Sequence, residues 1–290
     1  YYDKSFAWGT AGATYNPAQS HSSHAQSVTS MILKTNDGSG LPGVATGISE
    51  AKMFQADHFI ENLVFSAARP NIGVDIINQS FAFNLNAVQD SMSPADFENL
   101  YKTYIYNYDA YAKANGVLFV NGTPNSSQPR NLPAGMFNGI AAGVSSGNHN
   151  GPVHVVATVG QTSESTALVS GAAALLMQAA RDGEANAINL NDADDARVIK
   201  SAILTGASKS SGWNQSSADP LDATVGAGVL NVADSYRTLN GGQMQQALVA
   251  SQAANSVDLT PTLDETRTVV TQAGWDLNTI TTSTGSMDRV

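Results

Sequence analysis

Apolar positions along this chain fall into two patterns: short continuous runs, and longer stretches at helical spacing. Residues 74–78, 117–120, 139–144 and 153–159 are short runs rich in β-branched or small apolar side chains. Runs of that length, set off by polar or glycine-containing turns, predict strands buried on both faces of a parallel sheet. Between them, Pro94–Asn115 carries Phe97, Leu100, Tyr101, Tyr104, Ile105, Tyr108 and Tyr111 at helical spacing and stops at Gly116, which predicts one long helix. The tyrosine stripe reads as core and interface rather than as a stacking platform. Shorter helices are expected at 25–33, 59–68 and 192–204, the last with acidic residues at its start, where they suit the helix dipole. Residues 48–55 alternate apolar and polar, the pattern of a half-buried strand.

Strands alternating with helices imply an α/β fold: a parallel sheet flanked by helices on both faces, a three-layer sandwich. Right-handed crossovers then gather loops at the carboxyl ends of the strands, where ligand sites form. The character changes after Asn240. Gly241-Gly242 is followed by a Gln- and Ala-rich stretch that reads as helical to about Ser256, and then by a Ser/Thr-rich tail. The expected organisation is one domain over 1–240, with 241–290 a linker and the start of a further element.

Composition narrows the partners. Of 290 residues, 42% are hydrophobic, enough for a sizeable core, but only 13% are charged, with a net charge of -10. That balance argues against nucleic acid and against an anionic membrane surface, both of which select Lys and Arg. No apolar run approaches the ~20 residues of a membrane span. The chain has no cysteine, so neither disulfides nor thiolate metal sites form, which fits a secreted or cell-surface bacterial protein. Tyr1-Tyr2-Asp3-Lys4 has neither a basic start nor an apolar segment, and the expectation is that it lies downstream of a removed piece.

The stretch Gly160-Gln-Thr-Ser-Glu-Ser-Thr-Ala-Leu-Val-Ser-Gly-Ala-Ala-Ala-Leu-Leu176 puts Ser163 at the start of an apolar run of helical length. A nucleophilic serine there gains from the helix dipole and from free backbone N–H groups. The same residues equally describe an N-cap, Thr162 or Ser163, opening a packed core helix.

Other stretches bear on that choice. His21-Ser-Ser-His24-Ala, Gly43-Val-Ala-Thr-Gly47, Asp75-Ile-Ile-Asn-Gln-Ser80, Gly116-Val-Leu-Phe-Val-Asn-Gly-Thr-Pro-Asn125, Thr162-Ser163 with Val169-Ser-Gly-Ala-Ala-Ala-Leu175, and Gly226-Ala-Gly-Val-Leu-Asn-Val232 occur in this order. In order and spacing they resemble the characteristic segments of the subtilisin-like serine proteases over residues 1 to about 240. The resemblance implies a peptidase acting through an acyl-enzyme, with Ser163 at the nucleophile position, His21 at the base position and Asn125 at the side-chain oxyanion donor. It implies a polypeptide substrate, an N-terminal segment or propeptide as partner, and no required cofactor. A structural Ca²⁺ is suggested by Thr35, Asp37, Ser39 and Leu41, which fall at the spacing of the family's calcium loop, with Asp37 the candidate ligand. A solvated turn accounts for the same residues. His58, His149 and His154 have no spacing that suggests a zinc site.

The chain departs from the family pattern in places. The family's orienting Asp would lie about thirty residues before the His, and only 20 residues precede His21. Loss of that Asp alone costs roughly 10⁴-fold in kcat. Glu164 follows the nucleophile position, where a carboxylate opposes a developing oxyanion unless it points away. Ala82 and Phe83 replace two glycines that line the family's primary specificity pocket, so Phe83 is expected to narrow or block it. These changes sustain an alternative: a catalytically degenerate protein on the same scaffold, with a structural or binding role at the cell surface.

Overall fold

The computed structural model describes residues 23–34, 40–48, 51–182, 195–215 and 220–241, and the backbone of several short strands outside them. The chain divides into two compact units: residues 1–175 with 207–230, and residues 176–206 with 231–290.

The first unit opens with β1 (Phe6–Trp8), helix α1 (Ser23–Leu33) and β2 (Ala51–Met53), β1 and β2 pairing in parallel. A short helix α2 (Ala56–Phe59) runs directly into a π-helical turn at Ile60–Val64. Gln55 sets its start, accepting the His58 N–H on its side-chain oxygen. The helix expected at 59–68 therefore begins earlier and ends earlier, because a polar cap upstream outweighs the apolar spacing that suggested the later start.

Four strands form the central sheet. β3 (Ile76–Gln79) precedes α3 (Asn86–Asp90) and the long helix α4 (Pro94–Asn115). Then come β4 (Leu118–Gly122), β5 (Gly139–Val144) and β6 (Val155–Ala157). The order is β3-β4-β5-β6, every pairing parallel. All residues of β4, β5 and β6 are buried, as their continuous apolar runs require. β6 leads into α5 (Thr162–Arg181), whose last turns belong to the second unit.

Helix α4 starts where Ser93 accepts the Asp96 N–H and Pro94 occupies the first turn, and it stops at Gly116 in the left-handed conformation, φ 64°. Both ends are set locally, which is why the sequence locates them. Its Tyr108 and Tyr111 are fully buried against Phe119 of β4, with edge-on ring centroids 5.4 and 6.0 Å apart, and Phe59 joins the cluster. Each such ring pair adds about 0.5–1.5 kcal/mol beyond area burial. Tyr111 donates its hydroxyl to the Pro70 carbonyl, and burial pushes its pKa up to about 12.

The opposite face of the sheet meets α5. Asn78 accepts a hydrogen bond from Ser170 Oγ at 2.9 Å, and a Cβ on Gly122 would sit 2.9 Å from Thr166 Oγ1. The sheet thus has α4 on one side and the first half of α5 on the other, the layered α/β arrangement expected from the pattern. Gly171 of α5 packs so closely on Val44 that a Cβ there would lie 2.6 Å from Val44 Cβ.

In the second unit, α6 (Ala196–Gly206) packs on α7 (Val232–Asn240). Asp195, just before α6, accepts the Arg197 N–H and pairs with its guanidinium. Beyond α7, β7 (Ala247–Leu248) pairs antiparallel with β10 (Pro261–Thr262), and β8 (Ser251–Ala253) with β9 (Ser256–Asp258). A final hairpin joins β11 (Asn278–Thr282) to β12 (Gly285–Arg289). Within the Gln- and Ala-rich stretch expected to be helical, Ala247–Leu248 and Ser251–Ala253 are strands: helix propensity is a weak preference that strand pairing overrides. Among the described residues, no helix is long and apolar enough to cross a membrane.

Candidate active site

The carboxyl ends of β3, β4 and β6 converge on the N-terminus of α5. The loop after β3 brings Ser80, Phe81 and Phe83; the loop after β4 brings Asn125 and Gln128; α5 brings Thr162 and Ser163. Except for Ser80, these side chains line one cavity of about 270 Å³.

Ser163 is 8% exposed, in the first turn of α5. Its hydroxyl donates to the Ser80 carbonyl at 3.1 Å, and the Ser80 hydroxyl donates back to the Ser163 carbonyl at 3.0 Å. Asn78 Nδ2 donates to Ser80 Oγ at 3.1 Å, which holds Ser80 from below. The end of β3 is thereby bonded to the start of α5.

Asn125 is exposed, but its orientation is fixed. Its Oδ1 accepts both the Thr162 N–H and the Thr162 hydroxyl, each at 3.1 Å. A carboxamide has one acceptor end and one donor end. With the oxygen held by two donors, the Nδ2 amide is the end left for a ligand. The Ser163 N–H is a first-turn donor that α5 itself leaves unused. Together they form a pair of donors suited to a developing oxyanion.

Glu164 does not face this pair. Its Oε2 accepts the N–H groups of Gly160 (2.9 Å) and Gln161 (3.2 Å), capping the helix start, and it does not line the cavity. The residue that threatened an oxyanion serves the helix dipole instead. Phe83 lines the cavity without filling it. Its ring is turned edge-on to Phe81 (centroids 5.9 Å) and Tyr104 (5.6 Å), so of the two expectations, narrowing or blocking, the ring is a wall of an open cavity rather than a plug.

The structure brings Ser163 and Asn125 to one cavity. His21 and Asp37 lie outside the described residues. Leu41, at the end of the suggested calcium loop, is 90% exposed. Among the described residues, no group of three or more His, Asp or Glu side chains could hold a metal ion. His154 and His149 serve backbone: His154 Nδ1 accepts the Ala141 N–H, and His149 Nδ1 the Val144 N–H.

No family model matches the sequence, and no curated protein matches it. Solved structures do. The PatG macrocyclase domain is 20% identical, with a TM-score of 0.53, covering 75% of this chain and 68% of that one. Proteases from Pseudoalteromonas arctica PAMC 21717 are 17% identical, with a TM-score of 0.51 and coverage of 77% and 73%. The PatG macrocyclase in complex with peptide is 19% identical, with a TM-score of 0.50 and coverage of 73% and 67%. The fold is that of the subtilisin-like proteases.

Within that subtilisin-like fold, the separate sequence stretches fall together. The Gly43-Val-Ala segment packs on the Val169-Ser-Gly-Ala segment through Val44 and Gly171. The closing Gly226-Ala-Gly-Val segment places Val229 beside Val156 of β6. In the sequence Ser80 stands only within a motif, and Thr162 within a motif and as an N-cap candidate. Their work, tying down Ser163 and orienting Asn125, had no signal beyond the motif itself. Gln128 of the cavity wall had none.

Proposed function

We propose that the chain is a secreted serine endopeptidase with Ser163 as nucleophile, His21 as general base and Asn125 as oxyanion donor. The observation that carries this reading is the hold of Thr162 on the Asn125 oxygen, beside Ser163 on the same cavity wall. That arrangement leaves the Asn125 NH₂ end as a donor for the negative charge that a carbonyl attacked by Ser163 would build. In the proposed reaction His21 takes the hydroxyl proton as Ser163 attacks a peptide carbonyl. The oxyanion is held by Asn125 Nδ2 and the Ser163 N–H, and the acyl-enzyme is then released by water. The hydroxyl must first leave the Ser80 carbonyl. That gives up one neutral hydrogen bond, about 1 kcal/mol net, small beside the ~8 kcal/mol or more by which enzymes lower barriers.

A second reading, a catalytically degenerate scaffold with a structural or binding role at a cell surface, draws on that same hydroxyl. The reciprocal Ser80–Ser163 bonds would serve as a purely structural anchor for α5. A fluorophosphonate probe on the full-length natural protein separates the two. Labelling that disappears in Ser163→Ala supports the peptidase. Folded wild-type protein that takes no label supports the scaffold.

A further inference from the structure

Three carboxamides line the cavity, and each has its oxygen committed to a backbone N–H. Asn125 Oδ1 accepts from Thr162, Gln128 Oε1 accepts the Leu85 N–H at 2.8 Å, and Asn84 Oδ1 accepts the Asn86 N–H at 3.4 Å. A backbone N–H is only a donor, so these bonds fix which end of each amide is spent. With Asn125 Nδ2 assigned to the oxyanion, the NH₂ ends of Asn84 and Gln128 remain for a substrate side chain, and among the described residues no carboxylate and no cationic side chain lines the cavity. The start of α5 adds its dipole to the same side. Phe81 and Phe83 form the apolar part of the wall.

We infer that this cavity selects a side chain with an apolar stem and an oxygen-bearing end: glutamine or glutamate at the residue whose carbonyl Ser163 attacks. The inference rests on the peptidase reading for its position in the substrate and on the committed amide oxygens for its chemistry. The aromatic rings cover the two methylenes, and the donors meet the terminal carbonyl or carboxylate. A lysine would bring donors to donors. A leucine would cover the rings but offer no acceptor to the half-buried Gln128 amide, giving up the net worth of that hydrogen bond. Asparagine and aspartate are one methylene shorter and use less of the rings.

The test uses the full chain carrying Ser163→Ala, which binds without turnover, and fluorescent peptides that differ only at the selected residue. Anisotropy titrations are expected to give Gln and Glu peptides about tenfold tighter binding than Leu or Lys peptides, the worth of one to two net hydrogen bonds. Gln128→Glu keeps an oxygen for the Leu85 N–H but replaces the donor end with a carboxylate oxygen. It is expected to weaken the Glu peptide about tenfold and to strengthen the Lys peptide. Equal binding of all peptides, tightest binding by Leu or Lys, no binding at all, or an unchanged ranking in Gln128→Glu each overturns the inference. Probe labelling of the wild type reports the nucleophile separately. A Gln/Glu preference in unlabelled protein would sink the peptidase and leave the cavity's selectivity standing; labelling without that preference does the reverse.

Discussion

At the scale of single residues, the site depends on which atom of a side chain is already in use. Asn125 presents a donor because Thr162 takes its oxygen, and Glu164 stays off the cavity wall because its carboxylate accepts the Gly160 and Gln161 N–H groups. The proposed role of Asn125 has a definite kinetic signature. Asn125→Ala is expected to lower kcat about 10²–10³-fold with little change in KM, the loss seen in subtilisin when its oxyanion asparagine is removed. Steady-state kinetics on a cleaved peptide checks it, and an equal rise in KM with unchanged kcat would show that Asn125 only binds substrate. The sequence pointed to Asn125 and Ser163 through motif order. It did not show that Ser163 is bonded to Ser80, because those residues lie 83 positions apart.

Elements were legible to the extent that their ends are set locally. Helix α4 runs from Pro94 to Asn115 as its Ser-Pro start and glycine stop imply. β5 keeps the bounds of its apolar run, Gly139–Val144. Of the strand expected over 48–55, Ala51–Met53 pairs with β1, and Phe54 and Gln55 lie beyond the pairing. In the Gln- and Ala-rich stretch, residues 247–248 and 251–253 are strands, paired antiparallel with 261–262 and 256–258. Close packing between elements offers its own test. Gly171→Ala would push a methyl group into Val44, and a helix cannot shift without disturbing the Thr162–Ser163 turn at its start. The expected cost is about 1–3 kcal/mol, read as a lower denaturant midpoint with unchanged slope. Wild-type stability in Gly171→Ala would show that the packing there is loose.

At the scale of the whole molecule, stability is linked to pH through a histidine that the proposed reaction does not use. Burial lowers the pKa of His149 below its ordinary value; a bond to the Thr224 backbone partly offsets this. Its Nδ1 accepts the Val144 N–H, a bond open only to the unprotonated ring. The folded protein thus takes up this proton less readily than the unfolded chain. Its contribution to stability is complete above the ordinary histidine range and is lost as pH falls through that range towards the depressed value. Urea midpoints are expected to fall from about pH 7 to about pH 5, with a shallower fall in His149→Gln. An identical slope in the variant would assign the pH dependence to other groups.

The sequence by itself determined the alternation of the central strands with the long helices α4 and α5, the bounds of the locally capped α4 and the presence of a serine at a helix start. Those follow from residue type, periodicity and capping, which act over a few positions. Only the tertiary structure decided that the ends of β3, β4 and β6 meet at that serine. It also decided which end of each carboxamide faces the cavity, because that choice belongs to the backbone N–H that takes the oxygen, a partner supplied by folding.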